Sequence, residues 1–287
     1  MPEANHTLTV PGPLVGADWL ASHRENPALR ILDGSWYLPT QDRDPAAEFA
    51  ACHIPGAVFF DIDAIADPAS NLPHMLPGEA GFAAAVGALG ISNDNAIVVY
   101  DGAGVFSAPR VWWTFRTFGH DNIAVLQGGL PAWRSAGHPV TDEMTPLEPA
   151  QFAARLKPGL VRNADQIRAN IENPTEQVVD ARAEGRFHGR DPEPRPGLRG
   201  GHIPGSFNLP HAALVDADAG TLQDPATIRA RLEKAGVSLD RPITTTCGSG
   251  ISAALLALAF YTAGHTETAV YDGSWTEWGG LEDAPIA

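Results

Sequence analysis

HIPGA at His53–Ala57 returns as HIPGS at His202–Ser206. Upstream of each copy a short apolar run ends in aspartate, RILDGSWYLP from Arg30 and QVVDARAEGR from Gln177. Downstream, AIVVYDGAGVFSAP (Ala96–Pro109) aligns with PITTTCGSGISAAL (Pro242–Leu255), which sets Asp101 opposite Cys247. GHDNIAVLQGGLPAW (Gly119–Trp133) then aligns with GHTETAVYDGSWTEW (Gly264–Trp278), with a step of 14 from Gly to Trp in both. Four matches in one order, offset by 145 (Gly119 to Gly264) to 149 (His53 to His202), mark a tandem duplication of one domain.

Each half alternates strand and helix. In the second, Gln177–Ala181, Ile243–Thr246 and Thr268–Tyr271 read as strands, and the apolar stretch Ile251–Ala263 is long enough for a helix. Short apolar strands separated by helices imply a parallel sheet covered on both faces. The expected architecture is therefore α/β, two tandem domains over residues 8–140 and 158–287. Residues 141–157 read as a Pro-rich linker in which FAARL (Phe152–Leu156) could form one helical turn.

The chain's 287 residues suit two domains of ordinary size, and 44% hydrophobic with 18% charged residues excludes a disordered tail or a coiled coil. A net charge of −15 repels phosphate backbones and anionic lipid heads, so neither nucleic acid nor a membrane surface is an expected partner. No apolar run is long enough to span a bilayer, and MPEANHTLTV at the start lacks the basic and apolar regions of a secretory signal. A cytoplasmic protein is expected. Two cysteines, Cys52 and Cys247, are too few for a disulfide scaffold or a cysteine-rich zinc site.

The duplication lets each candidate residue be compared with its counterpart. The strand Ile243–Thr246 runs into Cys247-Gly248-Ser249-Gly250-Ile251-Ser252, and a helix follows directly. Ligands of open α/β sheets bind at the carboxyl ends of strands, where two glycines let backbone N–H groups turn in on one point. Those amides and the helix N-terminus favour a thiolate at Cys247. Cys52 has no such loop or following helix and reads as structural or merely tolerated. Asp101 cannot act as a sulfur nucleophile, so the first half is expected to complete a site rather than carry its own chemistry.

Other cysteine or serine chemistries fit less well. A Cys-x5-Arg phosphatase needs an arginine six residues past the cysteine, and Ala253 stands there. No Gly-x-Ser-x-Gly elbow, metal-ligand spacing, P-loop or dinucleotide fingerprint occurs, so no metal and no cofactor are expected.

HIPG in both halves, the CGSGISA loop and YDGSWTEW together resemble the tandem-domain rhodanese-type sulfurtransferases, over about Leu14 to Gly280. Within that family, thiosulfate-specific members carry basic residues after the cysteine, whereas this loop is similar to the branch that uses 3-mercaptopyruvate. LDGSWYLP, HIPGAVFFDID and HMLPG resemble the same branch. Ile251-Ser252 stands where Val-Thr is common, a departure that touches packing and no ionisable group.

The resemblance implies that Cys247 is nucleophile and persulfide carrier, with Gly248, Gly250, Ile251 and Ser252 shaping the substrate loop. It implies a proton relay of Ser249, His74 and Asp63, and a clamp of Arg186 and Arg195 on the substrate carboxylate and ketone. Each residue has a plainer alternative. In the polar loop Gly185–Gly201 an arginine would ordinarily be solvated, His74 would be a surface histidine, Asp63 a helix cap and Ser249 merely small. Trp278 and Trp133, matched in both halves, read as core, and Trp275, opposite Leu130, as core before site wall. The implied acceptor is a thiol, thioredoxin or a small thiol, with cyanide as a simpler one. The rivals are a thiosulfate:cyanide sulfurtransferase, a non-catalytic sulfur-carrier or binding module, and a phosphatase.

Overall fold

The computed structural model describes residues 8–287. They form two compact units. The first contains the chain through Ile65, Pro77–Leu156 and Ala219–Thr221, and the second contains Ala66–Leu76, Lys157–Asp218 and Leu222–Ala287. The segment Ala66–Leu76, although it lies within the first repeat, is thus part of the second unit. It is fastened there by the Leu76 N–H, which donates to Asp272 Oδ2 at 2.8 Å.

The first unit holds β1 (Leu14–Val15), β2 (Leu29–Asp33), β3 (Ala57–Phe59), β4 (Ala96–Tyr100) and β5 (Ile123–Leu126). They pair in parallel in the order β1-β5-β4-β2-β3. The second holds β6 (Val161–Arg162), β7 (Gln177–Asp180), β8 (Phe207–Asn208), β9 (Ile243–Thr246) and β10 (Ala269–Tyr271), in the order β6-β10-β9-β7-β8. The two orders are one topology repeated, as the duplication requires. Helices cover the sheets, so the central strands are buried on both faces and read as continuous apolar runs, β4 being AIVVY. β9 departs from this as ITTT, with all four residues buried. β-branched threonine suits a strand, and the Thr245 hydroxyl reaches the carbonyl of Ala253 at 3.0 Å, so its polar atom is satisfied inside.

Bond by bond the repeats agree. The Trp133 indole donates to the Pro139 carbonyl at 2.7 Å, and Trp278 to Pro285 at 2.9 Å. His53 stacks on Phe49 and His202 on Phe187, each with its Nδ1 on the carbonyl of that phenylalanine. Both HIPG histidines are thus structural pins. Trp133, Trp275 and Trp278 are fully buried, the core placement expected for them.

FAARL forms no helical turn. The segment runs extended along the first unit, with Thr141 bridged to His53, Ala150 N–H on the Gly87 carbonyl and Arg155 N–H on the Phe118 carbonyl. Phe152 is buried among Phe82, Phe115 and His120. Burying that one ring against three aromatic neighbours outweighs a single isolated helical turn, whose nucleation is unfavourable. Among the described residues no helix is long and apolar enough to cross a membrane.

Candidate active site

β9 ends at Thr246, and the chain turns through Cys247, Gly248, Ser249 and Gly250 into the helix Ile251–Thr262. Gly250 has φ +84, a conformation glycine adopts without strain, and it lets the loop close immediately before the helix. Cys247 is buried, with a free thiol. The loop is braced from the far side by the segment after β10. The Cys247 N–H meets Ser274 Oγ at 3.3 Å, the Cys247 carbonyl accepts the Trp275 N–H at 2.9 Å, and the Gly248 carbonyl accepts both the N–H and the hydroxyl of Thr276. GSWTEW therefore acts as scaffold for the nucleophile loop. The motif's recurrence marked the duplication, but Ser274 and Thr276 carried no separate signal in the sequence.

The first unit shows what such a loop accommodates. Asp101 follows β4 as Cys247 follows β9, and the Leu130 N–H donates to its carbonyl as Trp275 does to that of Cys247. The Asp101 side chain turns into its own loop. Oδ2 accepts the N–H groups of Phe106, Ser107 and Ala108 at 2.8 to 2.9 Å, and Oδ1 that of Ala103. Here backbone amides converge on an anion that the chain supplies, the arrangement that favours negative charge at such a turn.

The arginines divide. Arg186 lies in the short helix Glu184–Phe187, and its Nη2 lies 3.2 Å from where a Cβ on Gly248 would stand. A side chain at 248 would press on the guanidinium, and glycine lets it approach the loop closely. Arg186 donates through Nε and Nη2 to Glu193 Oε2, while Arg182 donates to Glu193 Oε1 at 2.7 Å. Arg182 is itself paired with Asp180, both fully buried. Arg182, Arg186, Asp180 and Glu193 form a charge-balanced cluster that fixes Arg186 against the loop. Glu193 was invisible as a site residue because it stands in a Pro-rich stretch. His211 lies near Arg186, and burial first, then that positive charge, holds its imidazole below the usual range, so it is neutral at pH 7. Arg195 is half-buried in the irregular stretch between Asp191 and Gly200.

His74 is buried rather than on the surface, at φ +62. It belongs to the segment Ala66–Leu76, hence to the same unit as Cys247. Asp272, which receives the Leu76 N–H, is two residues before Ser274, whose Oγ faces the Cys247 N–H. Ser249 is buried within the loop, as is Ile251, while Ser252 is partly exposed. Asp63 lies in the first unit, exposed, with Oδ2 accepting the Trp36 indole N–H at 3.0 Å. Asp61, not Asp63, caps the local turn, accepting from the N–H groups of Asp63 and Ala64. Cys52 is partly exposed in the first unit.

Comparison with known proteins agrees with this geometry. A model of the rhodanese-like domain matches residues 16–136 and again 163–281. The chain is 43% identical to human 3-mercaptopyruvate sulfurtransferase, over 92% of this chain and 91% of that one. It is 47% identical to bovine thiosulfate sulfurtransferase over the same shares. Among solved structures, SseA from Escherichia coli, described as a 3-mercaptopyruvate sulfotransferase of the rhodanese fold, aligns with a TM-score of 0.84 at 40% identity. That alignment covers 92% of this chain and 99% of SseA.

Proposed function

The chain belongs to the rhodanese family, and from that premise we propose that it transfers the sulfur of 3-mercaptopyruvate through a persulfide on Cys247 to a thiol acceptor. The observation that carries this reading is the placement of Cys247 at the end of β9, in a glycine loop ahead of a helix, with the Arg186 guanidinium held against Gly248.

The Cys247 thiolate attacks the substrate sulfur. The carbon–sulfur bond breaks with its electron pair going to carbon, which leaves Cys247–S–SH and the enolate of pyruvate, and protonation of that enolate gives pyruvate. Arg186 and Arg195 orient the substrate's carboxylate and ketone and stabilise charge as it develops on oxygen. Ser249 and His74 move the proton. A thiolate acceptor, thioredoxin or a small thiol, then attacks the outer sulfur and restores the Cys247 thiolate.

The relatives include both mercaptopyruvate and thiosulfate enzymes at similar identity, so the choice of donor rests on local charge. Residues 247–252 contain no Lys or Arg. The charge of Arg186 is shared with Glu193, which lowers the local positive charge offered to a dianion. A monoanionic keto acid fits that balance better than thiosulfate. Steady-state kinetics with each donor and a defined thiol acceptor test the reading: kcat/KM should favour 3-mercaptopyruvate by at least about tenfold, a difference of ~1.4 kcal/mol in transition-state binding. A preference for thiosulfate would overturn it.

A further inference from the structure

In the second unit the buried Arg182 guanidinium is bonded through all three of its nitrogens. It bonds both oxygens of Asp180, Oε1 of Glu193 and the carbonyl of Gly201, and lies 4.0 Å over the Trp275 ring. The first unit keeps the aspartate of this arrangement and lacks the rest. Asp33 stands for Asp180, and the N–H groups of Ser35 and Arg182 donate to Oδ1 of their respective aspartates, both at 2.9 Å. Ser35 therefore occupies the position of Arg182. Leu130 occupies that of Trp275, as their matching bonds to Asp101 and Cys247 show. Cys52 and Gly201 each precede the paired histidine of HIPG.

Asp33, Ser35, Cys52 and Leu130 all line one cavity of about 500 Å³ in the first unit. The space that one repeat fills with a guanidinium and an indole is open in the other, and a buried aspartate remains in its wall. The cavity's own cations do not serve that aspartate. Arg43 is bound through Nε and Nη2 to Glu48 and stacks 3.6 Å over the Tyr37 ring. Arg134 is exposed on the last turn of the helix Gly129–Ser135. The Asp33 carboxyl has instead the hydroxyl and N–H of Ser35 and the Tyr100 phenol, none of them a cation, and nearby Asp101 adds negative charge.

We propose that this cavity binds a small guanidinium-bearing molecule, its cation seated between Asp33 and the Cys52 carbonyl as Arg182 is between Asp180 and the Gly201 carbonyl. A planar guanidinium matches a carboxylate through paired hydrogen bonds, which a compact ammonium cannot reproduce. The smaller Leu130 leaves room for an apolar group attached to the cation.

The probe is phenylguanidinium, with the neutral isostere phenylurea as control, on full-length Cys247→Ser protein so that Cys52 is the one thiol. Ligand-observed NMR should show saturable binding of phenylguanidinium, at least tenfold tighter than phenylurea, and bound probe should slow alkylation of Cys52 by iodoacetamide. Asp33→Asn should weaken binding at least tenfold. Ser35→Arg, which supplies the missing guanidinium from the chain, should abolish it. Leu130→Trp fills the same space without touching the aspartate and should also abolish it, which keeps the test sharp if either other variant fails to fold. Absence of saturable binding, equal binding of phenylurea, or binding that survives in folded Ser35→Arg or Leu130→Trp protein overturns the proposal.

Discussion

Oδ2 of Asp101 accepts the N–H of Ala108 at 2.9 Å, at the first residue of the helix Ala108–Thr117. With the Phe106, Ser107 and Ala103 amides on the same side chain, the first unit carries a hydrogen-bonded carboxyl group where the second carries Cys247. The aspartate at this position therefore holds the loop shut from inside. Asp101→Asn puts an NH2 group among converging N–H donors. It should lower unfolding stability by roughly 2–3 kcal/mol, the scale for losing charged hydrogen bonds to buried donors. Urea unfolding followed by circular dichroism measures this, and an unchanged midpoint would show that the loop does not depend on the charge.

The two free thiols should separate cleanly. Cys247→Ser abolishes turnover, while Cys52→Ser leaves it nearly intact, because only Cys247 sits in the braced loop. Mass spectrometry after donor without acceptor should find about 32 Da, one sulfur, on the Cys247 peptide. A persulfide on the Cys52 peptide would contradict the assignment.

Arg186→Ala and Arg195→Ala should each cost about 1.5–3 kcal/mol of transition-state binding, roughly ten- to a hundredfold in kcat/KM. Glu193 acts on the same step through Arg186 as a positioning residue. Glu193→Gln should raise KM for 3-mercaptopyruvate more than it lowers kcat, because the guanidinium is still present but no longer fixed. If the kinetics of Glu193→Gln match wild type, Arg186 does not need that anchor.

Burial pushes the Asp33 carboxyl up to about 6, the Ser35 bonds offsetting only part of the effect. In the unfolded chain a carboxyl titrates near ~4, so between about pH 4 and 6 the folded state holds the proton that the unfolded state has lost. Stability should fall as pH rises through that window, by at most about 3 kcal/mol for a shift of roughly two units. Asp33→Asn removes the titration, so its melting temperature relative to wild type should be higher at pH 8 than at pH 4.5. An identical difference at the two pH values would place Asp33 in a better solvated environment.

The duplication made the fold legible because one motif set recurs in order, and two copies of one topology followed from it. Cys247 and its loop were legible because glycine spacing, strand end and helix start are all local. Glu193 and Ser274 were not, since their roles depend on contacts between distant stretches: Glu193 joins Arg182 to Arg186, and Ser274 reaches back to Cys247. FAARL misled because local helix propensity was weighed without the aromatic cluster that claims Phe152. The placement of Ala66–Leu76 with the second unit was equally hidden, since nothing in the composition of a loop states which sheet it packs on.

That placement bears on His74. A fragment of residues 158–287 retains Cys247 but lacks Ala66–Leu76, and with it His74 and the Leu76 N–H on Asp272. Its activity with 3-mercaptopyruvate should fall by about the 10²–10⁴ that general acid–base catalysis supplies. Loss in a fragment could also come from loosening of the loop, so the full chain provides the sharper comparison. His74 has φ +62, and asparagine adopts that left-handed conformation more readily than most residues. Full-length His74→Asn should therefore fold with a melting temperature close to wild type while kcat/KM drops by a similar 10²–10⁴. Persulfide formation by the residual enzyme should still occur at Cys247, only more slowly, because the nucleophile is intact. If His74→Asn turns over at the wild-type rate, His74 is a buried structural residue of the Ala66–Leu76 segment, and the proton must reach the enolate from Ser249 or solvent.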